Sequence, residues 1–145
     1  MLPNPSTHRS NGDEITVRPA GTDDNEKWNG FLADHAELPP FADFAWGRIL
    51  HDVFQIEPIR LIAEDDSCRV QGILAAYAAK GTGSRPVVYS LDRGFVAETA
   101  AAEASLINAV DDVCRSLGAA NALLSTSRRP FAKRTEAAIR QNVIL

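Results

Sequence analysis

One run of sequence, from Val87 to Leu124, constrains the fold more than any other part of the chain. Val87, Val88 and Tyr89 predict a short buried strand, and a polar loop containing Asp92, Arg93 and Gly94 follows it. A long amphipathic helix comes next, because apolar residues then recur at helical spacing. This apolar stripe consists of Leu106, Ile107, Val110, Val113, Cys114 and Leu117.

The end of this helix and the next strand complete the unit. Gly118 stands where a left-handed C-cap is expected, and Ala122 to Leu124 begin another strand. A strand, loop, helix and strand of this length form a βαβ unit, so we expect the two strands to be parallel or near neighbours. The loop would face the helix N-terminus, where free N–H groups favour anions. Such folds usually place their chemistry there.

Length and composition indicate one ordinary globular domain. The 145 residues are 45% hydrophobic and 23% charged, with a net charge of −4 and a pI near 5.3. Binding of nucleic acid through a generally basic surface is therefore disfavoured, although a local basic patch stays possible.

Two cysteines, Cys68 and Cys114, are too few for a disulfide framework, and Cys114 on the apolar helix face predicts a buried free thiol. Neither a membrane-spanning segment nor a signal peptide is expected, so we expect a cytoplasmic location.

The N-terminal half predicts a tail, a strand and two helices. Residues 1–14 are rich in Pro, Ser, Asn and Gly and predict a flexible tail. Ile15, Val17 and Arg18 alternate as a strand that Pro19 closes. The first helix presents Trp28, Phe31 and Leu32, and the second presents Trp46, Ile49, Leu50, Val53 and Phe54. We expect these two apolar faces to pack together.

The next segment predicts an antiparallel hairpin. Ile59 to Ile62 lead into an acidic turn at Glu64 to Ser67, and Val70 to Ala78 resume as a strand. The fold class is therefore α/β (α+β), with a mixed, mostly antiparallel sheet, two N-terminal helices and one long helix between late strands. We expect the domain to span 15–127 and to be followed by a basic segment, 128–145, for which the pattern predicts a helix.

Short motifs within this order resemble the FemAB/FemX family. These are peptidoglycan-bridge aminoacyltransferases and related acyltransferases built from two halves of the GNAT (N-acetyltransferase) type. The resemblance rests on Trp46-Gly47 in the second helix, Gly72 in the hairpin, Arg93-Gly94 after the strand, and Leu117-Gly118-Ala119 at the long helix end. It covers about residues 15–127, which correspond to the first half only.

The resemblance implies a GNAT-like fold and the transfer of an activated acyl or aminoacyl group to an amine. The donor would be acyl-CoA or aminoacyl-tRNA, without a metal, and the acceptor would be a small molecule or a peptidoglycan precursor. A homodimer or a second GNAT-like half would complete the site. Asp92 to Ala97 has one glycine and an acidic residue, which disfavours ordinary acetyl-CoA binding by this half.

Each candidate site residue also has a purely structural explanation. Tyr77 and Tyr89 are the candidate catalytic residues, able to orient a substrate or donate a proton, but strand tyrosines often only pack. Arg93 and Gly94 are candidates for binding an anion, although Arg93 could instead pair with Asp92 or Glu98. Arg128 and Arg129 begin a basic cluster that could contact phosphates or remain solvated.

The histidines and the acidic turn indicate no metal site. His35 and His51 have no sequence-adjacent partner for a triad, and Glu64 to Asp66 are typical of a solvated turn. Three functions remain open: a FemAB-type acyltransferase half that needs a partner, a stand-alone acetyl-CoA-dependent N-acetyltransferase, and a non-catalytic binding or assembly module.

Overall fold

The computed structural model describes residues 7–8, 14–35, 43–80, 85–119, 121–126 and 139–142, with only the backbone at 7–8, 80, 91–93 and 139–142. The strands are β1 (Thr7–His8), β2 (Ile15–Pro19), β3 (Glu57–Glu64), β4 (Val70–Lys80), β5 (Pro86–Ala97), β6 (Ala122–Ser125) and β7 (Ile139–Asn142). The helices are α1 (Asn25–Ala33), α2 (Phe44–Phe54) and α3 (Ala100–Leu117), and a 3₁₀ turn, Thr22–Asp24, precedes α1.

The strands form one sheet in the order of the chain, β1 to β7. Pairing is antiparallel from β1 through β5 and parallel from β5 to β6 and from β6 to β7. The predicted hairpin is β3 and β4, with Leu61 opposite Leu74. The α+β class with a mixed, mostly antiparallel sheet is therefore confirmed.

Helix α3 covers one face of the sheet, as its stripe predicts. Leu106, Val110 and Val113 are almost fully buried against inward residues of β2 to β6, whereas Leu117 at the helix end is 38% exposed. The Thr99 hydroxyl accepts a hydrogen bond from the Ala102 N–H at the start of α3. Gly118 ends it with φ of 71°, the left-handed conformation that glycine adopts without strain.

The other face of the sheet is covered by α1 and α2. Trp28 is fully buried there, and its ring meets the Phe44 ring edge to face with centroids 5.8 Å apart. Ile62, Ile73 and Val96 lie under these aromatic rings. Helix α1 therefore joins the core through the predicted Trp28 side, with Phe44 as its partner on α2.

The predicted packing of the α2 stripe against α1 is wrong. Ile49, Val53 and Phe54 are 44%, 66% and 63% exposed, and the buried residues of α2 are Phe44 and Gly47. The physical reason is the close approach at Gly47, where the absence of a side chain makes room for Arg60 of β3. The glycine side of α2 faces the sheet, and the larger apolar side chains turn outward.

Both ends of the chain contribute strands. Thr7–His8 pairs with β2 although the tail 1–14 is predicted to be flexible. Ile139–Asn142 pairs with β6, so the helix predicted for 128–145 is wrong at these four residues. Strand pairing depends on a distant partner, which local composition does not reveal. Among the described helices, none combines the length and apolarity needed to cross a membrane.

An ion-pair network ties β2, the 3₁₀ turn, α1 and β3 together. Both terminal nitrogens of Arg18 donate hydrogen bonds to the Asp24 carboxylate, at 2.7 and 2.8 Å, and one of them also donates to Glu64 at 2.9 Å. Lys27 donates to the same Glu64 oxygen at 3.0 Å. The hydrogen bond from Arg18, helped by one from the Gly21 N–H, lowers the pKa of Asp24 to about 2.

This network predicts a loss of stability in acid. Because the folded pKa of Asp24 lies below its ordinary value of 3.8, its contribution is present above about pH 4 and is lost as the pH falls toward 2. Asp24→Asn should lower the free energy of unfolding at pH 7 by about 1 to 3 kcal/mol and flatten its decline between pH 5 and 2. Urea unfolding at a series of pH values measures both effects.

The matched control is Asp23→Asn, which changes the exposed neighbouring carboxylate. It should retain the parent's acid profile. An Asp24→Asn protein with the same profile as the parent would contradict the assigned role of Asp24.

Candidate active-site groove

Strands β5 and β6 pair with each other only near their N-terminal ends. Val88 pairs with Ala122 and Tyr89 with Leu123, and the Ser125 N–H then donates to the Ser90 hydroxyl at 2.6 Å. Beyond this point β5 continues through Ala97 beside β4, while β6 continues beside β7. The pairing of the two strands therefore ends after Tyr89 and Leu123, and we take the space between the second half of β5 and the end of β6 as the candidate groove.

The divergence begins where β5 bulges. Leu74 of β4 lies opposite Phe95, and Ala76 lies opposite Ser90, so Ala75 alone faces residues 91–94. Such a bulge leaves extra residues unpaired with the neighbouring strand and turns the backbone locally. The bulge therefore marks where backbone N–H groups of β5 could serve a ligand in the candidate groove.

The bulge corrects the predicted position of Asp92, Arg93 and Gly94. These residues lie within β5 and not in a loop after the strand, because the strand resumes at Phe95 and extends to Ala97. Arg93 is consequently not adjacent to the N-terminus of α3, which begins at Ala100. Gly94 is buried, and the side chain of Arg93 lies outside the described part of the structure, so binding of an anion there remains a prediction.

The connection from β5 to α3 is only two residues long. Glu98 donates its N–H to the Gln71 carbonyl at 2.8 Å, which holds the end of β5 against β4. Thr99 is extended and caps the helix. No glycine loop therefore precedes the first turn of α3. The free amide groups of this turn and the helix dipole form the positive end of the helix.

A histidine–carboxylate pair lies at this same end of the sheet. His35 follows α1, is only 3% exposed, and has its Nε2 3.4 Å from the Glu98 carboxylate. Its Nδ1 is 2.7 Å from the Phe31 carbonyl, which can only accept, so Nδ1 carries a proton. Nε2 can then donate to an ionised Glu98 only from the imidazolium form. The pair therefore brings an imidazole and a carboxylate into contact at this end of the sheet.

Sequence reasoning did not find this pair because His35 and Glu98 are far apart in the chain. The only local signal was a histidine directly after an amphipathic helix, which is typical of many helix ends. His51, in contrast, is exposed and contacts its neighbour Asp52. Among the described residues, no group of three or more His, Cys, Asp or Glu could hold a metal ion.

Tyr77 and Tyr89 form a cross-strand pair at the closed end of the groove. They are partners in the β4–β5 register, and their rings stack with centroids 5.6 Å apart. Burial, and secondarily the charge of Tyr89, raises the pKa of Tyr77, so its hydroxyl is a proton donor at neutral pH. Tyr77 lies six residue steps along β4 from Gln71, the residue beside Glu98. At the usual rise per residue of a strand this distance is roughly 20 Å. The tyrosines and Glu98 therefore cannot act on the same atom, and the catalytic role of the tyrosines remains a prediction.

Arg128 and Arg129 lie outside the described residues. Their predicted contact with an anionic substrate therefore remains a prediction.

Comparison with known proteins supports the fold. The sequence matches no protein-family model and no curated protein. Among solved structures, an acetyltransferase from Trypanosoma brucei is 15% identical with a TM-score of 0.55, over 84% of this chain and 97% of the other. A ribosomal-protein-alanine N-acetyltransferase from Brucella melitensis biovar Abortus is 18% identical with a TM-score of 0.59, over 76% and 78%.

An aminoglycoside acetyltransferase from an uncultured soil metagenomic sample, in complex with sisomicin, is 13% identical with a TM-score of 0.56, over 76% of each chain. Together with the element order and the diverging strands, these likenesses define the class. The chain has the GNAT-like fold of the N-acetyltransferases.

Proposed function

We propose that the chain transfers an activated acyl group to an amine within the groove between β5 and β6. The observation that carries the proposal is the divergence of these strands after Tyr89 and Leu123, directly beside the bulge at 91–94. A thioester can lie between two such strands and hydrogen-bond to backbone that the sheet leaves unpaired. The structural neighbours, which are acetyltransferases, support this interpretation.

The groove supplies the two requirements of acyl transfer, which are alignment and stabilisation of an oxyanion. An unprotonated amine attacks the acyl carbon, the C–N bond forms, and the C–S bond breaks with departure of the thiolate. Backbone N–H groups of the bulge would hold the carbonyl oxygen as it gains negative charge. Confinement between β5 and β6 would align the amine with the carbonyl. The proton released by the amine balances the thiolate.

Two alternative sets of side chains are proposed to handle that proton, since roughly 20 Å along β4 separates them and one acyl carbon cannot contact both. In the first, the acyl carbon lies at the open end of the groove, where Glu98, with His35 behind it, would attract a cationic amine and take up its proton. In the second, the acyl carbon lies beside Tyr89, and the hydroxyl of Tyr89 or of Tyr77 would protonate the thiolate. Arg93, Gly94, Arg128 and Arg129 remain the proposed contacts for anionic parts of the substrates.

The donor that we propose is acyl-CoA, with its diphosphate at the first turn of α3. Because the connection there is only Glu98 and Thr99, without glycine, the amides of Ala100 and Ala101 would make this contact alone. Because only two amides would bind the diphosphate, the FemAB-type alternative is also open, in which aminoacyl-tRNA is the donor and a peptidoglycan precursor is the acceptor. Incubation with each donor and a set of amines, followed by mass spectrometry of the product, distinguishes the two. Mass spectrometry avoids thiol reagents, with which the exposed Cys68 would react.

Ala100→Glu tests the acyl-CoA site. Position 100 is exposed in the first helical turn, where a carboxylate is compatible with the helix dipole but repels a diphosphate. We expect at least roughly tenfold weaker acetyl-CoA binding by isothermal titration, with an unchanged melting temperature.

Ala104→Glu is the matched control, since it adds the same charge to an exposed position one turn later. It should bind acetyl-CoA like the parent. A parent protein without detectable affinity for acetyl-CoA, or equal effects of the two substitutions, would contradict the assigned site.

The proposed partner is a second copy of this chain, bound through the outward stripe of α2. Trp46 and Leu50 are half-buried, and Ile49, Val53 and Phe54 are exposed, so one face of α2 carries uncovered apolar surface. An antiparallel helix pair about a two-fold axis at Leu50 would place Trp46 of one copy against Phe54 of the other. Apolar side chains then meet apolar side chains across the whole interface.

Sedimentation velocity tests this dimer. Val53→Asp places a charge in the centre of the stripe and should convert a dimeric parent to a monomer, because burial of an unpaired charge is unfavourable. Ala104→Asp, on exposed α3 surface, should remain dimeric. A monomeric parent at micromolar concentration, or a dimeric Val53→Asp protein, would rule out this interface.

A further inference from the structure

Arg60 is a half-buried arginine without a carboxylate partner among the described residues. It lies in the middle of β3, opposite Ala75, and its guanidinium carbon is 4.0 Å from the centre of the Phe44 ring. This cation–π contact is its only described side-chain interaction. Burial is the sole cause that lowers the pKa of Arg60, in contrast to Arg18, whose pKa two carboxylates raise. The positive charge of Arg60 is therefore partly dehydrated, and no carboxylate of the described residues neutralises it.

Nearby carboxylates are occupied elsewhere. Asp24 and Glu64, on the same face of the sheet, are both bound by Arg18, and Lys27 shares Glu64. Asp52 of α2 lies 3.5 Å from Arg48. The described residues therefore offer Arg60 no free carboxylate, and an external anion would find its guanidinium available.

Gly47 leaves room for the Arg60 guanidinium. A Cβ atom at this position would lie 2.5 Å from Nη2 and 2.7 Å from Nε of Arg60, distances that real Cβ atoms do not adopt. The guanidinium therefore lies directly on the backbone of α2, between that helix and the Phe44 ring. An arginine confined in this way loses little side-chain entropy when it binds a ligand.

Arg60 opens into a cleft between α2, β3 and the start of α1. The cleft has a volume of about 380 Å³, within the range typical of small-molecule sites. Its walls contain two arginines, one histidine and uncharged side chains, and none of its lining residues is acidic. The lining residues are Thr22, Asn25, Phe44, Ala45, Arg48, His51, Pro58 and Arg60.

The lining offers both hydrogen-bond donors and apolar surface. Asn29 donates to the Asn25 oxygen, which leaves the Asn25 amino group as a donor toward the cleft side. Together with Arg48 and Arg60 it offers donors only, whereas Phe44, Ala45 and Pro58 offer apolar surface. The cleft therefore matches a molecule with an anionic group at one end and an apolar body at the other.

We propose that this cleft binds a small organic anion, with its carboxylate or phosphate group on Arg60 and its apolar body against Phe44 and Pro58. Arginine recognises both groups through paired N–H donors, so the shared chemistry is a planar or tetrahedral oxyanion. The cleft is on β3, two strands away from β5, and the proposal does not depend on acyl transfer in the groove.

The test uses benzoate and phenyl phosphate as anionic probes and benzyl alcohol as their uncharged counterpart. In the ¹H–¹⁵N spectrum of the parent, the Arg60 Nε–H and the Gly47 amide should shift on addition of at least one anion and not with benzyl alcohol at equal concentration. The two anions separate a carboxylate site from a phosphate site. Absence of shifts with both, or equal shifts with the alcohol, would overturn the proposal.

Two pairs of variants assign the effect to Arg60. Arg60→Met should weaken the affinity for the bound anion roughly tenfold or more in isothermal titration, whereas Arg115→Gln, on exposed α3 surface, should leave it unchanged. Gly47→Ala should also weaken binding because it displaces the guanidinium. Gly30→Ala changes a helical glycine with open space around it and should bind like the parent. Equal binding by Gly47→Ala and Gly30→Ala would show that the confined arginine is not the anion site.

Discussion

The bulge in β5 is the constraint on which the candidate active site depends. Four residues of β5 face one residue of β4, so β5 bends away from β6 soon after the two strands have paired. Hydrogen bonds on both sides fix this divergence. The Ser90 hydroxyl accepts a hydrogen bond from the N–H of Ser125 at the end of β6, and the Glu98 N–H holds the end of β5 on β4. Without the extra residues, β5 and β6 could continue as a closed ladder with no groove.

Arg18 and Arg60, on the face of the sheet that α1 and α2 cover, show how the surroundings of an arginine decide its role. Arg18 is neutralised by Asp24 and Glu64 and joins β2, the 3₁₀ turn and β3. Arg60 has an aromatic ring and a glycine backbone as neighbours, and its hydrogen-bond donors face a cleft. Stability explains the first arrangement, whereas the second leaves a partly dehydrated charge without a carboxylate among the described residues. Binding of an external anion supplies that explanation.

The sequence predicts the elements that local pattern controls and misses those that depend on distant partners. The stripe and the C-cap of α3 are correct because helical spacing and Gly118 act within a few residues. The apolar stripe of α2 is real, but periodicity indicates only that a face is apolar and not what covers it. The bulge, the His35–Glu98 pair and the contact of Arg60 with Phe44 join residues distant in sequence. A glycine within the α2 pattern was the one local signal of a close approach.

Hydrogen exchange with and without saturating acetyl-CoA tests the central claim most directly, because it reports on the backbone amides that the groove is proposed to use. The account predicts slower exchange in peptides covering the bulge at 91–94 and the first turn of α3, with no change in α2. Slower exchange confined to other segments, or unchanged exchange at both the bulge and the helix start, would contradict the placement of an acyl donor between β5 and β6.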